Sequence, residues 1–489
     1  MRPQQKSLTP YVAQYSMLGM VLLAAVLVAM VISSGQIAFG AIAILAPLAI
    51  AAVVLVFYNP YIGFFLYINY CFIFIGINRY IPDVPLGLTV DAILLLTTLS
   101  MFSKVKWQDL SKMHNGIFYV SLIWLVYTLI QIANPEITNR ESMFYAIRGL
   151  SVYSIQVVVI TLLWLGNKKY FNNFINLILI WSVFSTLWGL RQIWFGPDNY
   201  EYIWLERGGK ITHILNGRLR AFSFYSDAGQ YGTTMAFTSL LALILSLGPY
   251  PRKTRLIYAG LAIFSFIGFS ISGSRGPLFV ILFGFVFYLL LIKKFRMLLL
   301  GGFVFLIIFS FLKFSTIGSG NYQIFRLRTA LDPNDASLVV RMQNQRLIRK
   351  YLESRPFGAG IGTTDTWAKK YYPDSFLANV PTDSWFISIW AQNGIIGLFL
   401  HVFSLAYVLV FGYANVNRTR SPDLRVKLIA LYGGFFGVII ASLGNPIFGQ
   451  SPIGALMYVS MSYLCIADVL DEEFVREEEL LALKQAAAK

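Results

Sequence analysis

Fourteen apolar runs, each close to the length of a membrane-crossing helix, recur between residues 16 and 467, and very few folds accommodate that pattern. They lie near 16–34, 37–57, 61–77, 85–103, 116–133, 149–166, 171–195, 229–248, 255–272, 277–292, 297–313, 383–413, 428–443 and 449–467. A hydrocarbon core about 30 Å thick is crossed by about 20 apolar residues in a helix. The alternative span, a closed barrel, is built from strands of about 10 alternating residues, and the sequence has no such alternation. The expected fold class is therefore all-α: a polytopic membrane bundle of about 14 transmembrane helices. Charged residues make up 13% of the chain and hydrophobic residues 57%, where a soluble domain carries about 25% charge. Soluble enzymes, disordered chains and fibrous proteins are excluded. The first run follows Arg2 and Lys6, as a signal peptide would. It is too long for a signal core and runs almost directly into the second span, so it reads as an anchor.

Orientation follows from short-loop cations. Lys104, Lys106 and Lys112, then Lys168 and Lys169, then Arg252, Lys253 and Arg255, then Lys293, Lys294 and Arg296, then Arg418, Arg420, Arg425 and Lys427 all fall on one side of the predicted topology. That side reads as the cytoplasm, with both termini there. Two long connections, 196–228 and 314–382, are then external, and both are basic. Long loops escape the positive-inside rule, so their charge is free to serve either an anionic ligand or lipid headgroups. Residues 1–470 read as one membrane domain, and 471–489 as an acidic cytoplasmic tail, a solvated helix with no chemistry of its own. Cys71 and Cys465 lie inside apolar runs and offer no disulfide framework. His114, His213 and His401 are too scattered to suggest a histidine metal cluster.

Several outer-face segments carry candidate chemistry. Ser272-Gly273-Ser274-Arg275-Gly276-Pro277 breaks two spans and sets Arg275 beside a helix N-terminus, where an anion is favoured. A guanidinium held at membrane depth costs about 2.5–3.5 kcal/mol on insertion scales, so Arg275 reads either as a ligand contact or as a snorkelling anchor. Arg218, Arg220 and Tyr225 lead from the first long loop into a span, in a form suited to a phosphate carrying a sugar. Residues Arg341 to Glu353 have helical apolar spacing, with Arg341, Gln345 and Arg349 on another face, as in an interfacial amphipathic helix. Gly358, Gly360 and Gly362 follow, forming either an anion nest or a loop cap. Thr382 and Asp383 open the next span. Asp383 is a candidate base for a sugar hydroxyl, and either residue is a candidate N-cap.

Taken in order, these segments resemble the O-antigen ligase and polymerase superfamily of membrane glycosyltransferases. The matching elements are Arg-Ala-Phe-Ser at 220–223, Ser-Gly-Ser-Arg-Gly at 272–276, Arg341, Pro-Phe-Gly-Ala-Gly-Ile-Gly at 356–362, and the run from Asp383 to Gly397. The resemblance covers roughly residues 200–400 by motif. It implies a large helical bundle similar to the C-type glycosyltransferases, with a long periplasmic loop. It also implies inverting, metal-independent transfer of a glycan from undecaprenyl pyrophosphate, without a cofactor. Arg220, Arg275 and Arg341 would then stabilise the leaving pyrophosphate. Ligases of the family carry His-Asn where this chain has Asp383-Ser384, and a Glu where it has Gln392, which favours the polymerase branch. The expected partners are the lipid-linked oligosaccharide, membrane lipids, a flippase and a chain-length regulator, with no nucleic acid, and the expected location is a bacterial inner membrane. A ligase is the alternative within the family. A lipid-linked glycan transporter is the alternative from another class, although the spans hold few ionisable residues such as Asp91 and Arg191.

Overall fold

A computed structural model describes residues 37–487 apart from residues 83, 216, 319, 321–327, 329–333 and 335. The first predicted span, 16–34, lies outside the described residues, as do residues 488–489 of the tail. Each of the other thirteen apolar runs coincides with helix, from Ile37–Tyr58 to Ile453–Cys465. The protein is an all-α, polytopic membrane protein. Seven described helices are long and apolar enough to cross a bilayer, or eight if the pair Ile453–Cys465 and Ala467–Leu480, bent by 71°, counts as one span. Gly87–Phe102 and Leu278–Leu291 are shorter apolar helices.

The helices begin where a side chain can take the first free backbone N–H groups. The Oδ1 atoms of Asn59, Asn115 and Asn167 accept from Tyr61, Ile117 and Tyr170, and Asp227 accepts from Gly229 and Gln230. Pro60 then supplies a first helical position that has no N–H to satisfy. The centre of the bundle is the helix Ala228–Ser246, of which 17 of 19 residues are buried. Three of its polar side chains are satisfied within the helix: Thr233, Thr234 and Thr238 each return their hydroxyl to the carbonyl four residues earlier. Beside it, Leu278–Leu291 and Pro422–Ala441 meet backbone to backbone. A Cβ on Gly437 would lie 2.4 Å from the Val280 carbonyl oxygen, and one on Gly284 would lie 2.6 Å from that of Gly433, which is the small-residue contact that draws helices together in lipid.

Cross-connections among the described residues tie the loops together at two ends. At one end Asn115 bonds Cys465, Lys168 bonds Glu477, Tyr250 bonds Asp423, and Lys427 bonds Asn172. At the other, Arg79 bonds Ser223, Gln131 bonds Phe357, and Trp385 bonds Ser442.

The expectation of a solvated tail gives way. Residues Ala467–Ala487 form a helix whose Asp471, 5% exposed, accepts from the backbone N–H groups of Arg420 and Ser421 and from Arg420 Nε. Glu473 accepts from the Lys168 N–H, and Glu478 from the Ser421 hydroxyl. Asp471, Glu473, Glu477 and Glu478 are thus engaged by the loops at that end of the bundle, while Glu472 and Glu479 are exposed as expected of a solvated tail.

Candidate functional site

The second end holds a cavity of about 1620 Å³, larger than the roughly 300–1,000 Å³ of small-molecule sites. Arg220, Arg275 and Arg341 all line it, although 121 residues separate the first from the last.

Each arginine arrives by a different route. Arg220 sits on a turn built from buried polar groups. Its Nε donates to the Ser272 carbonyl at 3.1 Å and its Nη1 to Thr212 at 2.9 Å, while its own N–H donates to His213. The next residues are held by Gln192, whose Oε1 accepts from Phe222 and Ser223 and whose amide donates to the buried Glu201. Ser223 adopts a left-handed φ of 49°. Arg79, buried beneath, donates to the carbonyls of Ser223 and Tyr225, with its guanidinium carbon 4.6 and 4.5 Å from the ring centroids of Trp204 and Phe222. Burial pushes its pKa down to about 10. Arg275 stands on the break before Leu278–Leu291, beside the left-handed Gly273. Arg341 projects from the helix Ala336–Leu352, with Nη1 3.8 Å from where a Cβ on Gly444 would sit.

The remaining predicted site residues lie elsewhere. Arg218 is exposed on the two-residue hairpin strand Arg218–Leu219. Tyr225 is a core residue, 1% exposed, with its hydroxyl 2.9 Å from Ser185 Oγ. Arg349 is exposed. Eight residues at 100° each put it 80° away from Arg341, whereas Ile348, seven residues on, shares the inward face and is fully buried. The apolar set of this helix divides accordingly: Ile348 and Leu352 pack on Ala359, Leu377 and Ala391, while Val340 and Leu347 face outward.

Gly360 and Gly362 are left-handed, with φ of 93° and 87°, but their amides do not form an anion nest. Gly360 N–H donates to the Gln392 carbonyl and Gly362 N–H to Gln392 Oε1 at 2.9 Å. A Cβ on either would strike Ile137 or Ser142. Asp383 is also absent from the cavity lining. Its carboxylate accepts from Asn344 Nδ2 at 3.0 Å. The helix it precedes is capped by Ser384 without a side-chain bond, so neither Thr382 nor Asp383 is the N-cap.

A different carboxylate, not singled out in the sequence, lines the cavity: Asp365, first residue of the helix Asp365–Tyr371. It accepts from Ser388 Oγ at 3.0 Å and Thr382 Oγ1 at 3.2 Å. Burial raises its pKa, and the hydroxyl bonds from Ser388 and Thr382 offset only part of that. His213 lines the cavity as well. Its Nδ1 lies 2.8 Å from the Gly209 carbonyl, and burial depresses its pKa. Asn445 and Gln450, from the 442–452 connection, complete one wall. The signal for that wall was the Gly444-Asn445-Pro446 turn chemistry between two spans. Also on the lining, Arg148 pairs with Asp91, and Tyr153 donates to the same carboxylate at 2.6 Å. Arg148 opens a single π-helical turn, Arg148–Val152, a feature common at functional sites.

The comparisons with known proteins come to the same region. Residues 260–402 match the family described as O-antigen ligase. That match takes in Arg275, Arg341, Asp365 and Asp383 and leaves Arg220 outside. Over 400 residues the chain is 24% identical to an O-antigen polymerase of Salmonella muenchen, covering 78% of this chain and 90% of the relative.

Proposed function

We propose, for a chain that belongs to the superfamily of O-antigen ligases and polymerases, that it joins undecaprenyl-pyrophosphate-linked repeat units into a polysaccharide at the outer face of the cytoplasmic membrane. The observation carrying this reading is the convergence of Arg220, Arg275 and Arg341 on one cavity. Breaking a sugar–pyrophosphate bond leaves negative charge on the departing phosphate, and preorganised guanidinium groups are suited to receive it with bidentate geometry. The same cavity is lined by Phe279 and Phe283, one helical turn apart and 46% and 36% exposed. This gives an apolar flank for a prenyl chain entering from the lipid. Its volume admits more than one saccharide unit. A C–O bond to the acceptor hydroxyl then forms on the face opposite the leaving pyrophosphate, which gives inversion.

The polymerase reading is favoured over the ligase by the relative's description and by Asp383-Ser384 standing where ligases of the family carry His-Asn. Deleting the protein and extracting lipid-linked glycans separates the two. Single repeat units accumulating on the carrier are expected. Full-length polymer stranded on the carrier would make it a ligase, and an unchanged lipid-linked pool would remove both.

The reading also requires the cavity end to face outward and both termini to face the cytoplasm. Cys71 and Cys465 are buried, so a membrane-impermeant maleimide should report introduced thiols alone. Arg207→Cys and Arg349→Cys, both at exposed positions, are expected to label in intact spheroplasts. Lys112→Cys should label only after permeabilisation, and the reverse pattern would invert the topology.

A further inference from the structure

The arginines account for the leaving group and say nothing about the acceptor. Activating the acceptor calls for a base at the cavity wall, and the two carboxylates near the start of the helix Trp385–Arg418 differ in ways that matter. Asp383 lies off the cavity, bonded to Asn344. Asp365 lies on it, partly buried, with two hydroxyl partners, Ser388 and Thr382. An ionised carboxylate offers about four lone-pair sites, so the hydroxyls of Ser388, Thr382 and the adjacent Thr364 still leave capacity for a further donor. No lysine or arginine is ion-paired with Asp365 among the described residues. Its backbone is left-handed, φ 54°, as is that of Asp383, φ 53°, so the two are told apart by their place at the cavity and their partners and not by backbone strain. Two residues on, Trp367 also lines the cavity, its ring stacked on Tyr145 at 5.1 Å and 13°. Aromatic rings at a cavity wall suit the C–H face of a pyranose.

Resting on the glycosyl-transfer reading above, we infer that Asp365 takes the proton from the acceptor hydroxyl, the acceptor being a pyranose seated beside Trp367. The acceptor oxygen bonds to the anomeric carbon of the donor sugar as its proton passes to the Asp365 carboxylate. The anomeric carbon–oxygen bond to pyrophosphate breaks, and its electron pair leaves with undecaprenyl pyrophosphate. The proton then goes to water, restoring the carboxylate.

The charged and titratable surroundings of Asp365 are mixed. Asp383 raises its pKa. Lys369 on its own helix and Arg148 and Arg341 share the cavity, and Tyr145 and Glu141 stand on the helix packed against it. Burial is the largest influence and makes the group a stronger base than an ordinary carboxylate, whose pKa is about 4. The base must be ionised to act. Activity is therefore expected to fall on the acid side through a midpoint above that value.

The test uses full-length protein in nanodiscs with a lipid-linked repeat unit, assayed across about pH 4 to 9. Asp365→Asn keeps an oxygen to accept from Ser388 and Thr382 while losing the basic charge. It should retain KM and lose about 10²–10⁴-fold in kcat, and the acid limb should vanish from the residual rate. Its unfolding midpoint should be equal to or above that of the wild type, since a desolvated charge has been removed. Asp365→Glu should recover part of the rate. Asp365→Asn turning over within threefold of wild type, or a comparable loss confined to Asp383→Asn, overturns the inference and leaves the glycosyl-transfer reading standing. A wild-type protein that consumes no lipid-linked saccharide overturns the reading and this inference with it.

Discussion

Arg275→Ala and Arg341→Ala are each expected to cut turnover by about 10²–10³-fold with folded protein retained, the loss seen when one preorganised donor to a developing anion is removed. Both side chains line the cavity from separate segments, so neither can stand in for the other without moving backbone. Lysine should restore little, because an ammonium is a point charge where the leaving pyrophosphate presents paired oxygens. Arg220 should behave differently. Two of its guanidinium nitrogens already hold the Ser272 and Thr212 carbonyls, so alanine there removes a loop brace as well as a charge and should lower the unfolding midpoint too. Turnover of radiolabelled lipid-linked repeat unit in nanodiscs, read beside thermal unfolding, separates these effects. An alanine variant with near-normal turnover would take that arginine off the leaving group.

The largest effect on stability is expected at Gly394, where alanine should leave little folded protein. The residue interrupts the helix Trp385–Arg418 with φ 67° and ψ −173°, a region open essentially to glycine alone. A Cβ there would lie 1.9 Å from the Pro356 carbonyl oxygen and 2.5 Å from the Phe357 carbonyl carbon. Gly358, φ 77°, is its counterpart: a Cβ on it would meet Gly394 N at 2.5 Å. The crossing is further tied by Ile395 N–H to Pro356 O, Tyr127 to the Asn393 carbonyl, and Gln131 to Phe357. Backbone strain of this kind costs about 1–3 kcal/mol before the overlap is relieved. Because both colliding partners are main chain, relief means parting the two segments. Gly260→Ala is the matched control, at an exposed helical site with nothing within 4 Å of the added carbon, and should leave the midpoint unchanged or slightly higher. Expression and unfolding midpoints in detergent check both, and a Gly394→Ala protein as stable as wild type would mean the two segments do not cross as described.

The helices were legible because apolar run length is a local signal. The arginines were legible because a guanidinium at a span mouth is costly enough to need a reason. The base was not. Asp365 stands in a run, Gly-Thr-Thr-Asp-Thr, that reads as an ordinary loop entering a short helix. Its character comes from Thr382 and Ser388, 17 and 23 residues away. Asp383 was chosen by position within a motif, and its neighbours Pro381 and Trp385 do line the cavity while its own carboxylate turns away. Arg349 was chosen by counting in fours, a rule that drifts by 40° per step, so it fails at the second step. The three glycines at 358–362 were read as ligand-facing because positive φ and free amides look the same in sequence whether the partner is an anion or another stretch of chain.

The acidic tail helix has a consequence in time. Lys168 N–H bonds Glu473 across 305 residues of sequence, and Arg420 and Ser421 wait in the same way for Asp471. At about 5–20 residues per second of synthesis, Lys168 stands without that partner for about 15–60 s after it is made. The bundle at that end is a late-closing joint, sealed after the segments that carry Arg220, Arg275, Arg341 and Asp365 have all been laid down.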